Sequence, residues 1–419
     1  MSSPANAISE VDVLVVGAGP GGSTTAYHLA RHGLDVALLE RSTFPREKVC
    51  GDGLTPRGVA ALLRMGIDTS DPAFERADGL RIYSRKVVLE LPWPTLEDYP
   101  DYGLIRTRLD FDELLARRAE KAGARLIERT EAVSPIMRDG WVTGATVRSA
   151  DEPDAEATQV RARFVIACDG APSRFASQAG VQRDPTRPMG IAARRYYRVN
   201  HHPGPWLEVW MDLWDGDAMM PGYGWLFQVA DGTVNLGAGI LNTFTNFKNM
   251  SAGRTFDAFA RMLPTDWNVN EDTAEGTTLS GPLPMGFSRV PQALPGMLVV
   301  GDAAGAVNPF NGEGIAYAME TAEMAAELVH EALVRDRPGL AHLYPTMLRE
   351  RYARYFFIGR KFVGAIGHPS IMRTFTDYGL PQEWLMKFAL RFMGNLTDGK
   401  KGDAQDKLMY ALERLAPAS

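Results

Sequence analysis

The sequence predicts an α/β protein of two lobes and a tail: a Rossmann-like lobe gathered from separated segments, an antiparallel β lobe, and a helical C-terminal region. Three observations predict it. A strand–turn–helix–strand unit opens the chain, two further strand–turn–helix corners follow near residues 164 and 297, and residues 188–284 are dense in short strands. A chain of 419 residues also exceeds one ordinary core, so more than one lobe is expected. Hydrophobic residues at 45% and charged residues at 23% are values of a folded globular protein. A net charge of -6 argues against a nucleic-acid partner. Cys50 and Cys168, the 2 cysteines, make neither a disulfide framework nor a Cys-ligated zinc site, and no metal is expected. "MSSPANAISE" lacks the basic and apolar regions of an export signal, and no apolar run approaches the ~18 residues of a membrane span, so a cytoplasmic protein is expected.

The first element is "VDVLVVGAGPGGSTTAYHLARHGLDVALLE": a buried strand from Val11 to Val16, a glycine turn, a helix to about Arg31, and a strand ending at Glu40. Gly17 permits the tight turn, Gly19 admits a pyrophosphate against bare backbone, and Gly22 lets helix and strand pack closely. Pro20 stands where the helix begins, and its N-terminus offers free N–H groups to phosphate. Glu40, about 20 residues on, can accept hydrogen bonds from ribose hydroxyls, with Arg41 beside it. This is a dinucleotide site for either NAD or FAD.

Two distant segments choose between them. "RFVIACDGAPSRFA" is a strand from Phe164 to Cys168 followed by Asp169-Gly170 and Ser173. "GMLVVGDAAGAVNPFNGEGIAYAMET" is a strand from Met297 to Val300, then Gly301-Asp302, then a loop feeding a long helix. Asp302 can accept from a ribityl hydroxyl, a group NAD lacks. In "PFNGEG", Gly312 and Gly314 lead to a helix opening at Ile315, whose N-terminus can face negative charge developing on a flavin. These units in this order resemble the FAD-binding fold of the p-hydroxybenzoate hydroxylase class. That resemblance implies FAD as cofactor and makes Arg108, opening R-x-x-F-D in "RTRLDFDELL", a cofactor contact, with Arg106 as competitor. Val133, in the strand region beyond, is counted with the cofactor contacts.

The remaining elements fall between these units. The FAD lobe is expected from residues 1–80, 104–183 and 296–335, the substrate lobe from 81–103 and 184–295, and a helical region from 336–419. "RIYSRKVVLELPWPTL" alternates apolar residues with prolines and joins the substrate-side sheet, as do "GIAARRYYRV", "WLEVWMDLW", "YGWLFQVA" and "TVNLGAGIL". "SADEPDAEAT" is a surface loop. No internal repeat is present.

Tyr223, Trp225 and Phe227 stand two apart, so their rings share one face of a strand, as core or as cavity wall. Together with "CGDGLTP", the segment "PGYGWLF" resembles the paired motifs of the geranylgeranyl reductase family, flavoproteins that saturate isoprenoid double bonds. That family has proline where Gln228 stands here. "KVCGDGLTPRGV", "PGYGWLF" and "NPFNGEGIAYAMET" look most like the family's actinobacterial menaquinone-reducing branch. The resemblance implies FAD, a prenyl-lipid substrate of the menaquinone type, and Cys50-Gly51 beside the flavin ring and substrate tunnel. Hydride from flavin N5 and a proton for the other carbon would saturate the alkene. Cys50 either donates that proton or shapes the pocket, and a thiol in an apolar cavity is a modest acid. Tyr223 and a flavin-associated water are the other donors. Cys50, Tyr223 and Trp225 are the candidate catalytic residues. No second G-x-G-x-x-G unit is found, so NAD(P)H binds transiently or a separate reductase or carrier supplies electrons.

The tail bears on location. From Arg349 to Lys401 there are ten Lys/Arg against four Asp/Glu, a local balance of +6 in a chain of -6. "YFFIGRKFVGAIG" and "WLMKFALRFMG" are basic and aromatic with helical spacing. They read either as packed helices with a solvated basic face or as interfacial helices on the inner face of the cell membrane. Two other functions share the fold: an aromatic hydroxylase or halogenase, and a non-catalytic prenyl-protein escort. Halogenases carry W-x-W-x-I-P, unlike "YGWLFQ", and escorts have lost the flavin contacts that Glu40, Asp302 and the 309–314 loop keep here.

Overall fold

The computed structural model describes residues 9–417 except 86, 153, 217, 221 and 246. Residues 1–8, on which the export-signal expectation rests, and Pro221 of the aromatic motif lie outside the described residues.

The first sheet is ordered by strands buried on both faces. Glu10–Val16 pairs in parallel with Val36–Leu39 on one side and Thr158–Ala167 on the other. Arg125–Ile127 and Met297–Val299 extend the sheet in parallel at its two ends. Val13, Leu14 and Val15 are wholly buried, which a parallel strand between two covered faces requires. The helices Pro20–Arg31, Arg108–Lys121 and Ile315–Val334 pack together on one face. On the other face, Trp141–Ser149 and Thr130–Arg138 run antiparallel off Thr158–Ala167 and share a core with Phe175.

The second sheet has 7 strands, in the order Ala274–Pro284, Met189–Tyr197, Val234–Leu241, Tyr223–Gln228, Trp206–Trp210, Gly79–Tyr83, Val88–Pro92. Its pairs are antiparallel except one: Trp206–Trp210 runs parallel to Gly79–Tyr83. The hairpin 79–92 enters from the first lobe, so no tight turn to its neighbour sets its direction. Within Tyr223–Gln228 the two-residue period separates two environments. Leu226 packs toward Phe259 of the helix Ala252–Met262, while Tyr223, Trp225 and Phe227 face a cavity. Gln228 pairs regularly with Val234, so the strand runs on without the family's proline.

The tail is helical, and its parts differ. Tyr344–Leu348, a wide turn Arg349–Ala353 and Arg354–Ile366 are consecutive, and Tyr352, Tyr355 and Phe356 sit in the first lobe's core. The aromatic half of "YFFIGRKFVGAIG" is therefore largely packing. Pro369–Thr374, the wide turn Phe375–Gly379 and Glu383–Met393 behave differently: Met372, Phe375, Met386 and Leu390 line the cavity, while Ile371, Tyr378 and Trp384 are exposed. Among the described residues no helix is long and apolar enough to cross a membrane.

Candidate active site

A cavity of about 710 Å³ lies between the two sheets and is closed on one side by the tail. Its polar end is formed where the first strand meets its helix. Gly17 has φ +97°, and a β-carbon there would lie 2.5 Å from the Cys168 carbonyl oxygen. Gly22 does not reach the cavity; it lies under the turn, where a β-carbon would overlap the Gly17 carbonyl. Gly19 is different, for its missing β-carbon leaves open space bounded by the guanidinium groups of Arg46 and Arg108 at 3.8 and 4.0 Å. The helix begins there at Pro20, so backbone N–H groups and two cations, with Asp112 Oδ2 also at 4.0 Å, converge where a pyrophosphate would fit.

A chain of ion pairs fixes those cations. Arg108 grips Asp112, one turn along its own helix, with Nε–Oδ1 at 2.5 Å and Nη2–Oδ2 at 2.8 Å. Arg46 donates to Asp112 Oδ2 at 2.9 Å and pairs with Glu40 at 3.1 Å. Burial opposes the Arg108 charge, but Asp112 outweighs it and holds the guanidinium protonated. Arg106 is elsewhere, paired with Asp71 and Asp110. Glu40 also accepts from the Ser42 N–H at 3.0 Å, and Arg41 lines the same end. Asp169 accepts from Ser173 Oγ and the Phe175 N–H, capping a short helix at the cavity edge. Val133 lies off the wall, its carbonyl bonded by Gln178, and Ala132 lines the cavity instead.

Midway along, Cys50-Gly51 meets the aromatic strand. Asn235 ties them together: its Oδ1 accepts from Trp225 Nε1 at 3.0 Å, while its Nδ2 donates to the Cys50 carbonyl at 2.8 Å and to Asp52 Oδ2 at 2.7 Å. Asp52 also accepts from the Tyr196 hydroxyl and the Arg108 N–H. Burial pushes the Asp52 carboxyl up to about 6 despite these donors. The Cys50 thiol is likewise raised by burial, with the Arg108 charge opposing, and burial lifts the Tyr223 hydroxyl to about 12. Bare backbone seats the rings. A β-carbon on Gly237 would overlap Trp225, one on Gly53 would lie 3.1 Å from Phe227, and one on Gly239 would lie 2.7 Å from Tyr223.

Opposite these rings runs the 309–314 loop. Asn308 anchors it by donating to the Tyr355 hydroxyl at 3.1 Å and the Met393 carbonyl at 3.0 Å. Gly312 adopts φ +77°, and a β-carbon there would stand 3.1 Å from the Tyr223 hydroxyl. Gly314 caps the helix that opens at Ile315, and Asp302 Oδ1 comes within 3.4 Å of where its β-carbon would be. Beyond the rings the walls become apolar, with Leu80, Ile82 and Leu207 from the sheet and Met211 from the loop after it, together with Met386 and Leu390 from the tail.

Cys50, Tyr223, Trp225, Asp302 and the 309–314 loop thus line one cavity. Sequence reasoning passed over Arg46, Asp112, Asn235, Asp52 and Glu313. Asp112 was visible as the last position of the R-x-x-F-D pattern, and Arg46 as the base ahead of Cys50, whereas Asn235 carried no signal.

The bare backbone at Gly19, the buried Glu40 side chain and the Asp302 oxygens fit FAD. The FAD binding domain family matches residues 10–211. A menaquinone reductase of Mycobacterium tuberculosis is 35% identical over 388 residues, 92% of this chain and 91% of that protein. A digeranylgeranylglycerophospholipid reductase of Thermoplasma acidophilum is 32% identical over 352 residues, 82% of this chain and 84% of its own. A solved structure of a geranylgeranyl bacteriochlorophyll reductase-like protein, from Thermoplasma acidophilum, superposes with a TM-score of 0.78 at 26% identity, covering 97% of this chain and 100% of that one. A flavin-dependent brominase superposes with a TM-score of 0.72 at 17% identity, covering 97% and 99%, and shares the fold. Fold and site together define an FAD-dependent oxidoreductase. Within that class the chain belongs to the geranylgeranyl reductase family.

Proposed function

We propose that this chain saturates isoprenoid double bonds of a prenyl lipid, the menaquinone side chain in particular. One observation carries the reading: a single cavity runs from a polar cofactor end, past Cys50 and three aromatic rings, to an end lined by aliphatic residues and methionines. An isoprenoid tail offers only apolar surface, and such walls reward its burial at about 25 cal/mol per Å². The identity to a menaquinone reductase across 92% of this chain supports the menaquinone tail.

Reduced FAD, when bound, supplies a hydride to an alkene carbon. The chain's own residues do the rest. Arg46, Arg108 and the N-terminus at Pro20 hold the phosphates, and Glu40 holds a ribose. Trp225 and Phe227 press the tail into line and exclude water from the reacting carbons. Cys50 shapes that wall, for burial leaves its thiol a poor acid. Electrons reach the cofactor from NAD(P)H bound transiently or from a separate carrier.

The same reading sets the protein on the inner face of the cell membrane, in the cytoplasm. Ile371, Tyr378 and Trp384 are 44%, 74% and 70% exposed on helices whose other side lines the cavity. Arg373 and Lys387 are exposed beside them and suit an anionic leaflet. The chain divides, on this reading, into a discontinuous FAD lobe (1–80, 104–183, 296–335), a substrate lobe (81–103, 184–295) and a helical region (336–419). The test is incubation of the flavin-loaded protein with menaquinone and a reductant, followed by mass spectrometry of the lipid. The tail should gain hydrogen in pairs; an unchanged tail under conditions that keep the flavin reduced overturns the reading.

A further inference from the structure

Two glutamates seven residues apart, the half-buried Glu313 and the buried Glu320, are treated in opposite ways. Glu320 is bound by Arg57, with Nε and Nη2 at 2.8 and 3.0 Å from its two oxygens, and by the Tyr352 hydroxyl at 2.6 Å. Arg57 is spent on that pair, on the Asn395 carbonyl at 2.7 Å and on the Tyr99 hydroxyl at 3.0 Å. Glu313 lines the cavity and has no such ion pair. The Thr55 hydroxyl donates to Oε1, while Oε2 is buried with no hydrogen-bond partner among the described residues. The backbone around it is pinned, since the Glu313 N–H donates to Asn311 Oδ1 at 3.0 Å and its carbonyl accepts from the Asn308 N–H at 2.9 Å. Its neighbour Gly312 comes against the Tyr223 hydroxyl, and the carboxyl itself lies at Thr55, a few residues past Cys50-Gly51, within the same cavity lining.

A carboxylate with one oxygen bare in an apolar cavity is costly, and the group answers by keeping its proton. Burial pushes the Glu313 carboxyl up to about 7, against the pull of Thr55 and Arg57. For Glu320 burial works the same way, but the Arg57 charge overcomes it and the group stays below the usual carboxylate range.

We propose that Glu313, and neither Cys50 nor Tyr223, is the proton donor for saturation of the prenyl double bond. The proposal rests on the prenyl-reductase reading. In the balanced step the Glu313 O–H bond breaks, and the π electrons of the alkene form a C–H bond to one carbon. The other carbon takes a hydride from the reduced flavin, which leaves oxidised. The Glu313 carboxylate then regains a proton from water, and Thr55 holds it in place throughout.

The test pairs two readouts on Glu313→Gln and Glu313→Asp. In the flavin-free protein, infrared spectra should show a protonated-carboxyl carbonyl band that fades as pH rises through about 7 and is missing from Glu313→Gln. With reduced FAD bound, single-turnover oxidation of the flavin by menaquinone should be about 100-fold slower or more in Glu313→Gln at unchanged flavin content, with partial recovery in Glu313→Asp. The wild-type rate should fall as pH rises through the same range. Identical infrared spectra for wild type and Glu313→Gln overturn the proposal, as does a wild-type rate in Glu313→Gln; either result leaves the prenyl-reductase reading standing. If the wild-type protein itself spares every prenyl tail while its flavin is reduced, it is that reading which fails, and the donor role with it.

Discussion

At the cofactor end of the cavity, Gly17, Gly19 and Glu40 come from one continuous stretch, and Arg108 and Asp112 from one helical turn. At the apolar end, Ile82, Leu207, Met211 and Leu390 are brought together from two sheet strands, a loop and a tail helix. The difference follows from what each end must recognise. A pyrophosphate demands N–H groups and cations at fixed distances, which a strand–turn–helix supplies by local geometry. A prenyl chain demands only volume and dryness, which many combinations of apolar side chains supply. Chemistry that needs direction is encoded locally; chemistry that needs only burial is assembled late.

The contrast can be broken most severely at Gly22. Gly22→Val would drive a side chain into the Gly17 carbonyl, and the purified protein should be colourless, with no flavin absorbance. Asp302→Ala removes one acceptor aimed at the same cofactor and should weaken FAD binding by about 10-fold to 100-fold, measured by flavin fluorescence titration.

Cys50→Ala and Trp225→Ala act on the other side of the divide. Both should retain FAD yet reduce the prenyl tail about 100-fold more slowly, since a displacement of about 1 Å can cost that much. Trp225→Ala also strands the Asn235 carbonyl oxygen and opens a void, at a stability cost of about 3–5 kcal/mol readable by denaturant melts. Cys50→Ser tests the thiol itself: a spacer role predicts slowing, a donor role predicts survival.

Asp52 sharpens the comparison through pH. Its carboxyl titrates near 6 in the folded chain, above the usual value of about 4. Its contribution to stability is therefore fully present below about pH 4 and lost as pH rises to about 6. Wild type should lose on the order of 3 kcal/mol relative to Asp52→Asn across that window, whatever constant cost the amide brings, as thermal melts at several pH values will read. The smallest effect is expected at the tail, where Trp384→Ser should weaken binding to phosphatidylserine vesicles a few-fold in a sedimentation assay and leave flavin content untouched.

Much of the cofactor end was legible. Gly17, Gly19 and Glu40 were marked by motif spacing and Asp302 by the strand–turn–helix corner around it, and the structure brings all four to one cavity. The aromatic triplet was half legible: a two-residue period put its rings on one face, but only the glycines across from it distinguish wall from core. The tie of Asn235 to Cys50 and Asp52 was invisible, since it joins residues more than a hundred positions apart. The parallel pairing of Trp206–Trp210 with Gly79–Tyr83 was missed for the same reason, as antiparallel order is the natural reading of consecutive short strands. In the tail, helical periodicity made Phe356 and Trp384 look alike, yet one is wholly buried and the other 70% exposed. Periodicity reports a face and leaves its partner unnamed.

Each ring of the aromatic strand stands against backbone that a glycine leaves bare: Tyr223 at Gly239, Trp225 at Gly237 and Phe227 at Gly53. Side chains yield by changing rotamer; backbone does not. A wall seated this way works as a gauge, for its own side of the cavity is held by backbone while Met386 and Leu390 line the tail side. What passes is then decided by thickness, so that a slender hydrocarbon slides by while a bulkier ring of equal greasiness is stopped, and the enzyme can be selective toward molecules that offer it nothing to bond.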